Sequence, residues 1–192
     1  MNHVRMFAFA ASVGVAAGGA QPARAEATAG DGARAHTAVT FAFDADGPMS
    51  QVMPLFGADR ERVWADDWAP TFVHPSPAKD ERGMVFLVKH GQLEATWVNT
   101  ELDLARGHVQ YAYVIPATLA TLITIRASAR TAKTTHVEVT YERTALTAAA
   151  NAHVAHLAKA DGDAGPEWAR QINAYLAKVQ AAPHAPPNVE AR

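Results

Sequence analysis

Five successive segments of the chain alternate between apolar and polar residues with a period of two. They span residues 83–88, 93–102, 108–115, 119–129 and 135–141. Because the side chains of a strand point alternately to its two faces, this pattern predicts an antiparallel meander. In the last segment Val137, Val139 and Tyr141 share one face and polar residues share the other. One face of the sheet must therefore be covered.

The C-terminal part of the chain provides a cover for that face. Apolar residues recur there with helical spacing, which predicts an amphipathic helix. They are Trp168, Ile172, Tyr175, Leu176 and Val179. A second, Ala-rich helix is predicted over 145–160, and the turn residues 161–166 separate the two. A strand over 37–43 and a short helix after Pro48, ended by Gly57, complete an α+β order.

The N-terminus has the three parts of a cleavable secretory signal peptide. A basic start ends at Arg5, an uncharged apolar run covers 6–20, and Ala23-Arg24-Ala25 forms a cleavage site. The apolar run is too short to cross a hydrocarbon core of ~30 Å. No later segment approaches the ~20 apolar residues that a span requires. We therefore expect a periplasmic or secreted protein without a membrane span.

The domain boundaries follow from these patterns. We expect a signal peptide over 1–25, a flexible segment over 26–36, one domain over 37–182 and a flexible Pro-rich tail over 183–192. The sequence predicts no oligomeric state.

Composition excludes several classes of function. Removal of the signal peptide deletes Arg5 and Arg24 and no acid, so the formal charge moves from −2 to −4. This acidic balance argues against a nucleic-acid partner. The chain has no Cys, so neither disulfides nor lipid attachment to Cys is available. No phosphate-binding Gly-rich loop, dinucleotide fingerprint or Gly-x-Ser-x-Gly elbow is present, and we expect no cofactor.

Two segments have weak metal-binding patterns. His153 and His156 are spaced i,i+3, but no third ligand follows at a zincin spacing, so a solvated helix face is the preferred interpretation. The segment 161–163 (Asp-Gly-Asp) lacks the remaining positions of a calcium loop and is interpreted as a capping turn. We expect no metal.

The chain resembles bacterial members of the SRPBCC, or START-like helix-grip, superfamily, in its polyketide cyclase/dehydrase-like branch. The resemblance covers most of the predicted domain and is carried by 64–75 (WADDWAPTFVHP), 96–98 (TWV), 111–116 (YAYVIP) and 137–147 (VEVTYERTALT). It implies a curved antiparallel sheet of six to seven strands around a long C-terminal helix. It also implies a cavity for apolar or amphipathic ligands. The pair Asp66-Asp67 departs from the pattern, because a turn residue such as Gly is expected there.

Aromatic residues dominate the candidate ligand-binding site. Alternation places five of them on the covered face, where each is either core or cavity wall. They are Phe86, Trp97, Tyr111, Tyr113 and Tyr141, and Trp64 and Trp68 are expected to close one end. The polar candidates are His74, Asn99 and the hydroxyls of Tyr111 and Tyr113. His74 is a weak candidate for acid–base catalysis.

We expect an exported protein that binds a small hydrophobic or amphipathic molecule, and a binding role is favoured over an enzymatic one because no reactive constellation is present. One alternative is a cyclase- or dehydrase-like enzyme that uses His74 or a Tyr hydroxyl for proton transfer. Another is an accessory protein that binds a protein partner through the exposed sheet or through Trp64 and Trp68.

Overall fold

The computed structural model describes residues 32–182. The signal peptide predicted over 1–25, most of the segment 26–36 and the tail 183–192 lie outside the described residues. Within residues 32–182, no helix is long and apolar enough to cross a membrane.

Seven strands form one antiparallel sheet in the order β1-β7-β6-β5-β4-β3-β2. The strands are β1 (His36–Ala45), β2 (Thr71–His74), β3 (Val85–His90), β4 (Leu93–Asp103), β5 (His108–Ile115), β6 (Leu119–Thr131) and β7 (Thr134–Ala145). The predicted meander is confirmed by β3 to β7, which are neighbours in chain order. The first strand completes the sheet at the other edge of this meander, since β7 pairs with β1 along the whole of β1.

The strand register aligns residues of the covered face in two rows across the sheet. One row runs Phe86, Trp97, Tyr113, Thr121 and Arg143. The other runs Asn99, Tyr111, Ile123, Tyr141 and Val39. Side chains of one row are close neighbours across the strands. An arginine therefore lies in line with the aromatic residues, and it was not predicted there because the predicted segment ended at residue 141.

The helices follow the first strand and the last strand of the chain. After β1 comes α1 (Met49–Val52), followed by 3₁₀ turns over Met53–Phe56 and Arg60–Val63. After β7 come a 3₁₀ turn over Ala148–Ala150, α2 (Asn151–Gly162) and α3 (Gly165–Ala181). The predicted C-terminal helix is confirmed by α3. The helix predicted over 145–160 begins only at Asn151, because β7 continues as a strand to Ala145.

Trp168 of α3 anchors the helix to the interior. Its ring meets Phe41 at 5.4 Å and Trp64 at 5.5 Å between centroids. Phe43 and Phe56 complete the contact at 6.4 Å and 6.3 Å. These rings come from β1, from the 3₁₀ turn after α1 and from the segment before β2, so one side chain connects three parts of the chain. This is the centre of the core.

Candidate functional site

A small cavity lies inside the domain, between the covered face of the sheet and α3. Its volume is about 10 Å³, which is close to the space that one water molecule needs. Nine residues line it: Glu61, Trp68, Phe86, Trp97, Tyr111, Ile123, Ile125, Tyr141 and Trp168. Six of the nine are aromatic and one is acidic. The cavity is therefore an aromatic enclosure with a single carboxyl group.

Glu61 supplies that carboxyl from the 3₁₀ turn Arg60–Val63. The side chain is buried, with 5% of the residue exposed, and its carboxyl has no hydrogen-bond partner in the described part of the chain. Burial raises the pKa of Glu61 well above its ordinary value of 4.5, and the nearby Asp80 carboxylate raises it further. Desolvation disfavours the charged form, so burial favours the neutral acid.

Three side chains hold the segment that carries Glu61 by donating hydrogen bonds to its carbonyl oxygens. Trp64 Nε1 donates to Leu55 O at 2.7 Å. Trp68 Nε1 donates to Ala58 O at 2.7 Å. From the sheet, the Tyr111 hydroxyl donates to Phe56 O at 2.7 Å. Buried backbone carbonyls need such partners, and here they receive them from residues of the candidate site itself.

Asp80 and Gly57 lock the start of the same segment. The Asp80 carboxylate accepts a hydrogen bond from the Asp59 backbone amide at 3.0 Å. A Cβ on Gly57 would overlap that carboxylate, so Gly at 57 is required by close approach rather than by φ. The lock places the turn that carries Glu61 against the sheet.

The sheet side of the site is a stack of rings. Trp97 and Tyr113 stack at 4.2 Å between centroids. Phe86 stacks on the other side of Trp97 at 5.6 Å, and Trp68 meets Trp97 edge-on at 5.6 Å. Such offset and edge-to-face arrangements are the favoured geometries of aromatic pairs. The stack makes this wall of the cavity rigid and apolar.

A buried ion pair lies beside the stack. Arg143 of β7 donates to the Asp161 carboxylate of α2 through Nε at 2.6 Å and through Nη2 at 2.7 Å. Arg143 also donates to the Tyr113 hydroxyl and, at 3.2 Å, to Thr121 Oγ1. Its guanidinium lies 4.5 Å from the centroid of the Tyr141 ring. Asp161 is thus one half of an internal ion pair. The interpretation of 161–163 as a capping turn did not predict this pair.

Four predicted site residues line the cavity: Trp68, Phe86, Trp97 and Tyr111. Tyr113 lies behind Trp97 in the ring stack. Trp64 packs against Trp168 instead of lining the cavity. The structure therefore brings most of the predicted aromatic set together at one place.

His74 is not brought to the cavity. It is exposed at the end of the edge strand β2, and a register shift between Phe72 and His74 breaks the alternation of that strand. Its neighbour Val73 is exposed as well, at 57%. A role of His74 in ligand binding or proton transfer inside the domain is therefore not supported.

Asn99 is completely buried on β4. Neither its amide nitrogen nor its amide oxygen meets a hydrogen-bond partner within residues 32–182. The amide lies beside the Tyr111 hydroxyl without completing a hydrogen bond to it. An unsatisfied buried amide is costly, and it is a polar feature of the interior in addition to Glu61.

Glu61 was missed by the sequence analysis, although a signal for it exists. Trp64, Ala65 and Trp68 follow Glu61 at spacings of three, four and seven, and all four residues are buried. This is the spacing of one helical face. In this segment, the acidic residue on an otherwise apolar face is the sequence signal for the buried carboxyl group.

Metal binding finds no support in the described residues. No group of three or more His, Cys, Asp or Glu side chains within 32–182 is arranged to hold a metal ion. Burial lowers the pKa of His153, and the charges of His156 and Arg143 lower it further. His153 and His156 therefore carry no assigned site.

Comparison with known proteins yields structural similarity alone. No family model matches the chain, and no curated protein matches its sequence. A norcoclaurine synthase point mutant from Thalictrum flavum, solved in complex with a transition-state analogue, superposes with a TM-score of 0.60 at 9% identity, covering 78% of this chain and 99% of that one.

Two further structures superpose over most of their length. A solution structure from Thermobifida fusca has a TM-score of 0.57 at 12% identity and covers 78% of this chain and 99% of that one. Ara h 8.0201 has a TM-score of 0.51 at 11% identity and covers 75% and 99%. The chain therefore has a helix-grip fold. The predicted fold class is thereby confirmed, and the helix-grip α+β architecture positions the cavity between the sheet and α3.

Proposed function

We propose that this helix-grip protein is an exported binding protein that holds one small apolar or amphipathic molecule between the sheet and α3. The observation that carries the proposal is the Glu61 carboxyl, which is buried in an aromatic cavity without a described hydrogen-bond partner. Leaving a buried polar group unpaired costs about 1–3 kcal/mol. A ligand with one polar atom at Glu61 and an apolar body would remove that cost.

The size of the cavity determines how binding must proceed. Sites for small molecules have volumes of roughly 300 Å³ or more, whereas this cavity has about 10 Å³. Binding of such a molecule would therefore require the described cavity to widen. Of the lining residues, only Trp168 belongs to α3, and α3 packs chiefly on β1. Ligand entry requires that Trp168 move outward with α3 and leave the rigid ring stack in place.

Similar structures are consistent with this use of the fold. The norcoclaurine synthase structure was solved with a transition-state analogue, so a helix-grip protein can hold a small molecule. Because fold does not determine function, this similarity supports a ligand site without naming the ligand.

The test is to purify the full chain from a Gram-negative host and to look for a retained molecule by native mass spectrometry. Apolar probes are then titrated while Trp fluorescence is followed, since all four Trp of the chain lie at the cavity or against Trp168. We expect a retained molecule or saturable quenching with a raised Tm. A protein that holds nothing and responds to no probe would overturn the proposal.

Export is tested by the same preparation. If the N-terminal segment acts as a signal peptide, the protein is found in the periplasmic fraction and its first residue is Glu26. An intact Met1 in the cytoplasmic fraction would contradict export and would leave ligand binding standing.

A second candidate function is acid–base catalysis by Glu61. The observation that favours it is the burial of this carboxyl beside the ring stack, which raises its pKa and favours the protonated form. The groups first considered for this role are no longer suitable, because His74 is exposed and both Tyr hydroxyls are committed to Phe56 O and Arg143. Recovery of a retained molecule chemically unchanged after incubation favours binding, whereas its conversion, lost in Glu61→Gln, favours catalysis.

The accessory-protein alternative loses one of its two proposed surfaces. Trp64 and Trp68 are 5% and 6% exposed, so they present no aromatic patch to a partner.

A further inference from the structure

The charge of the cavity lining is one-sided. Among the nine lining residues, Glu61 is the one with an acidic side chain, and none has a basic side chain. The Asp80 carboxylate lies close enough to Glu61 to raise its pKa further, so the surrounding potential is negative. Burial favours the neutral form of Glu61, but an ammonium group placed against this carboxyl would favour its ionised form and be attracted to it, whereas an anion would disfavour ionisation further.

The nearest buried base does not reverse this sign. Arg143 contacts the Tyr141 ring from outside the lining set. Its charge is matched by Asp161 through two hydrogen bonds. The Arg143–Asp161 pair is therefore neutral as a unit, whereas Glu61 has no cationic partner among residues 32–182.

The rest of the lining also favours a cation. Six aromatic rings surround the cavity, and the faces of aromatic rings attract ammonium groups, most strongly when both are removed from water. A carboxyl group together with several rings is the combination that recognises an organic ammonium ion. A neutral apolar ligand would leave the Glu61 carboxyl without a partner.

We infer that the site selects a protonated amine on a small apolar body, with the ammonium group at Glu61 and the apolar part against the rings. This inference rests on the proposed function, because it assigns the chemical class of the molecule held in that cavity. It predicts discrimination by head-group charge among ligands with the same apolar body.

Three probes with one hexyl chain test it: hexylamine, hexanol and hexanoate. They are titrated at pH 7 into the full chain and into Glu61→Gln, which keeps the shape of the side chain but cannot ionise. Glu94→Gln is the matched control, since it makes the same substitution at an exposed position on β4. Tm and circular dichroism verify that each variant is folded.

We expect hexylamine to bind at least about tenfold more tightly than hexanoate, with the preference lost in Glu61→Gln and kept in Glu94→Gln. Equal binding of the three probes, tighter binding of hexanoate, or a preference that survives Glu61→Gln overturns the amine assignment and leaves cavity binding intact. If none of the probes binds and native mass spectrometry finds no retained molecule, the proposed function fails, and the inference fails with it.

Discussion

Arg143 and Asp161 form a two-point ion pair inside the protein, with Nε and Nη2 of the arginine 2.6 Å and 2.7 Å from the two carboxylate oxygens. The pair joins β7 to the end of α2, and both side chains are less than a tenth exposed. Burying two charges requires that each satisfy the other. The pair therefore fixes how the C-terminal helices meet the sheet.

Removal of one partner should be strongly destabilising. We expect Asp161→Asn to lower the free energy of unfolding by about 3–5 kcal/mol, because it leaves the Arg143 charge buried and uncompensated. Urea unfolding followed by circular dichroism measures the change. Asp163→Asn, two residues on and exposed, should stay within about 0.5 kcal/mol of the parent protein. Equal effects of the two substitutions would contradict a structural role for the pair.

Glu61 should make stability depend on pH. Its pKa in the folded protein is raised well above 4.5, so the folded state binds the proton more tightly than the unfolded state. The associated stability is fully present below pH 4.5 and is lost as the pH rises through the folded-state pKa. One proton gives a slope of at most about 1.4 kcal/mol per pH unit.

Glu61→Gln should remove this dependence. We expect the variant to equal the parent protein near pH 4.5 and to be more stable at pH 8, as measured by urea unfolding at intervals between these values. Glu94→Gln should follow the parent curve throughout. A parent curve parallel to that of Glu61→Gln would show that Glu61 titrates normally and is not buried as described.

Trp168 should contribute both to stability and to the wall of the ligand site. We expect Trp168→Ala to lower the free energy of unfolding by about 3–5 kcal/mol, against a small change for Val179→Ala, which lies half exposed on the same helix. The vacated space is apolar and should bind a ring of matching size. Indole should therefore raise the Tm of Trp168→Ala more than that of the parent protein. If indole raises the Tm of the two proteins equally, α3 has moved toward the sheet and filled the vacated space.

Periodicity was sufficient to predict the sheet because one of its faces is buried. The segment 108–115 is a strand with the predicted bounds, since every second residue from Val109 to Ile115 packs into the core. The last strand, β7, extends further than the pattern over 135–141 suggested. β7 continues through Arg143 and Ala145 because pairing with β1 and β6 outweighs the helical propensity of the Ala-rich segment that follows.

Backbone geometry explains the departure of this chain from the pattern of the family that it resembles. Asp67 occupies the position at which a turn residue such as Gly was expected, and its φ is +63°. That conformation favours Gly, and Asp is one of the few other residues that adopt it readily. The loop shape is thus the one that a Gly would give.

The polar part of the site could not be predicted as reliably. A charged residue in a sequence is ordinarily solvated, so Glu61 and the Arg143–Asp161 pair are identified as buried only when the chain around them is folded. His74 shows the opposite error, because a bulge in a four-residue edge strand turns it to solvent. The alternation of residues predicts the apolar lining of the cavity, whereas the polar groups that face the lining depend on tertiary contacts.

The close approach of Gly57 to Asp80 means that a side chain at residue 57 should displace the Asp80 carboxylate. In Gly57→Ala the new methyl would overlap the Asp80 carboxylate, which would displace the hydrogen bond to the Asp59 amide and shift the turn that carries Glu61. We expect a loss of about 1–3 kcal/mol in the free energy of unfolding.

Gly162→Ala is the matched control, because its Cβ would meet Val39 Cγ1 at an ordinary 3.7 Å at the end of α2. It should be neutral or slightly stabilising. If the turn positions Glu61, Gly57→Ala should also weaken the preference for hexylamine over hexanoate, measured where the variant is still folded. If Gly57→Ala is destabilised but keeps its preference for hexylamine over hexanoate, the contact between Gly57 and Asp80 stabilises the fold without positioning Glu61 for the ligand.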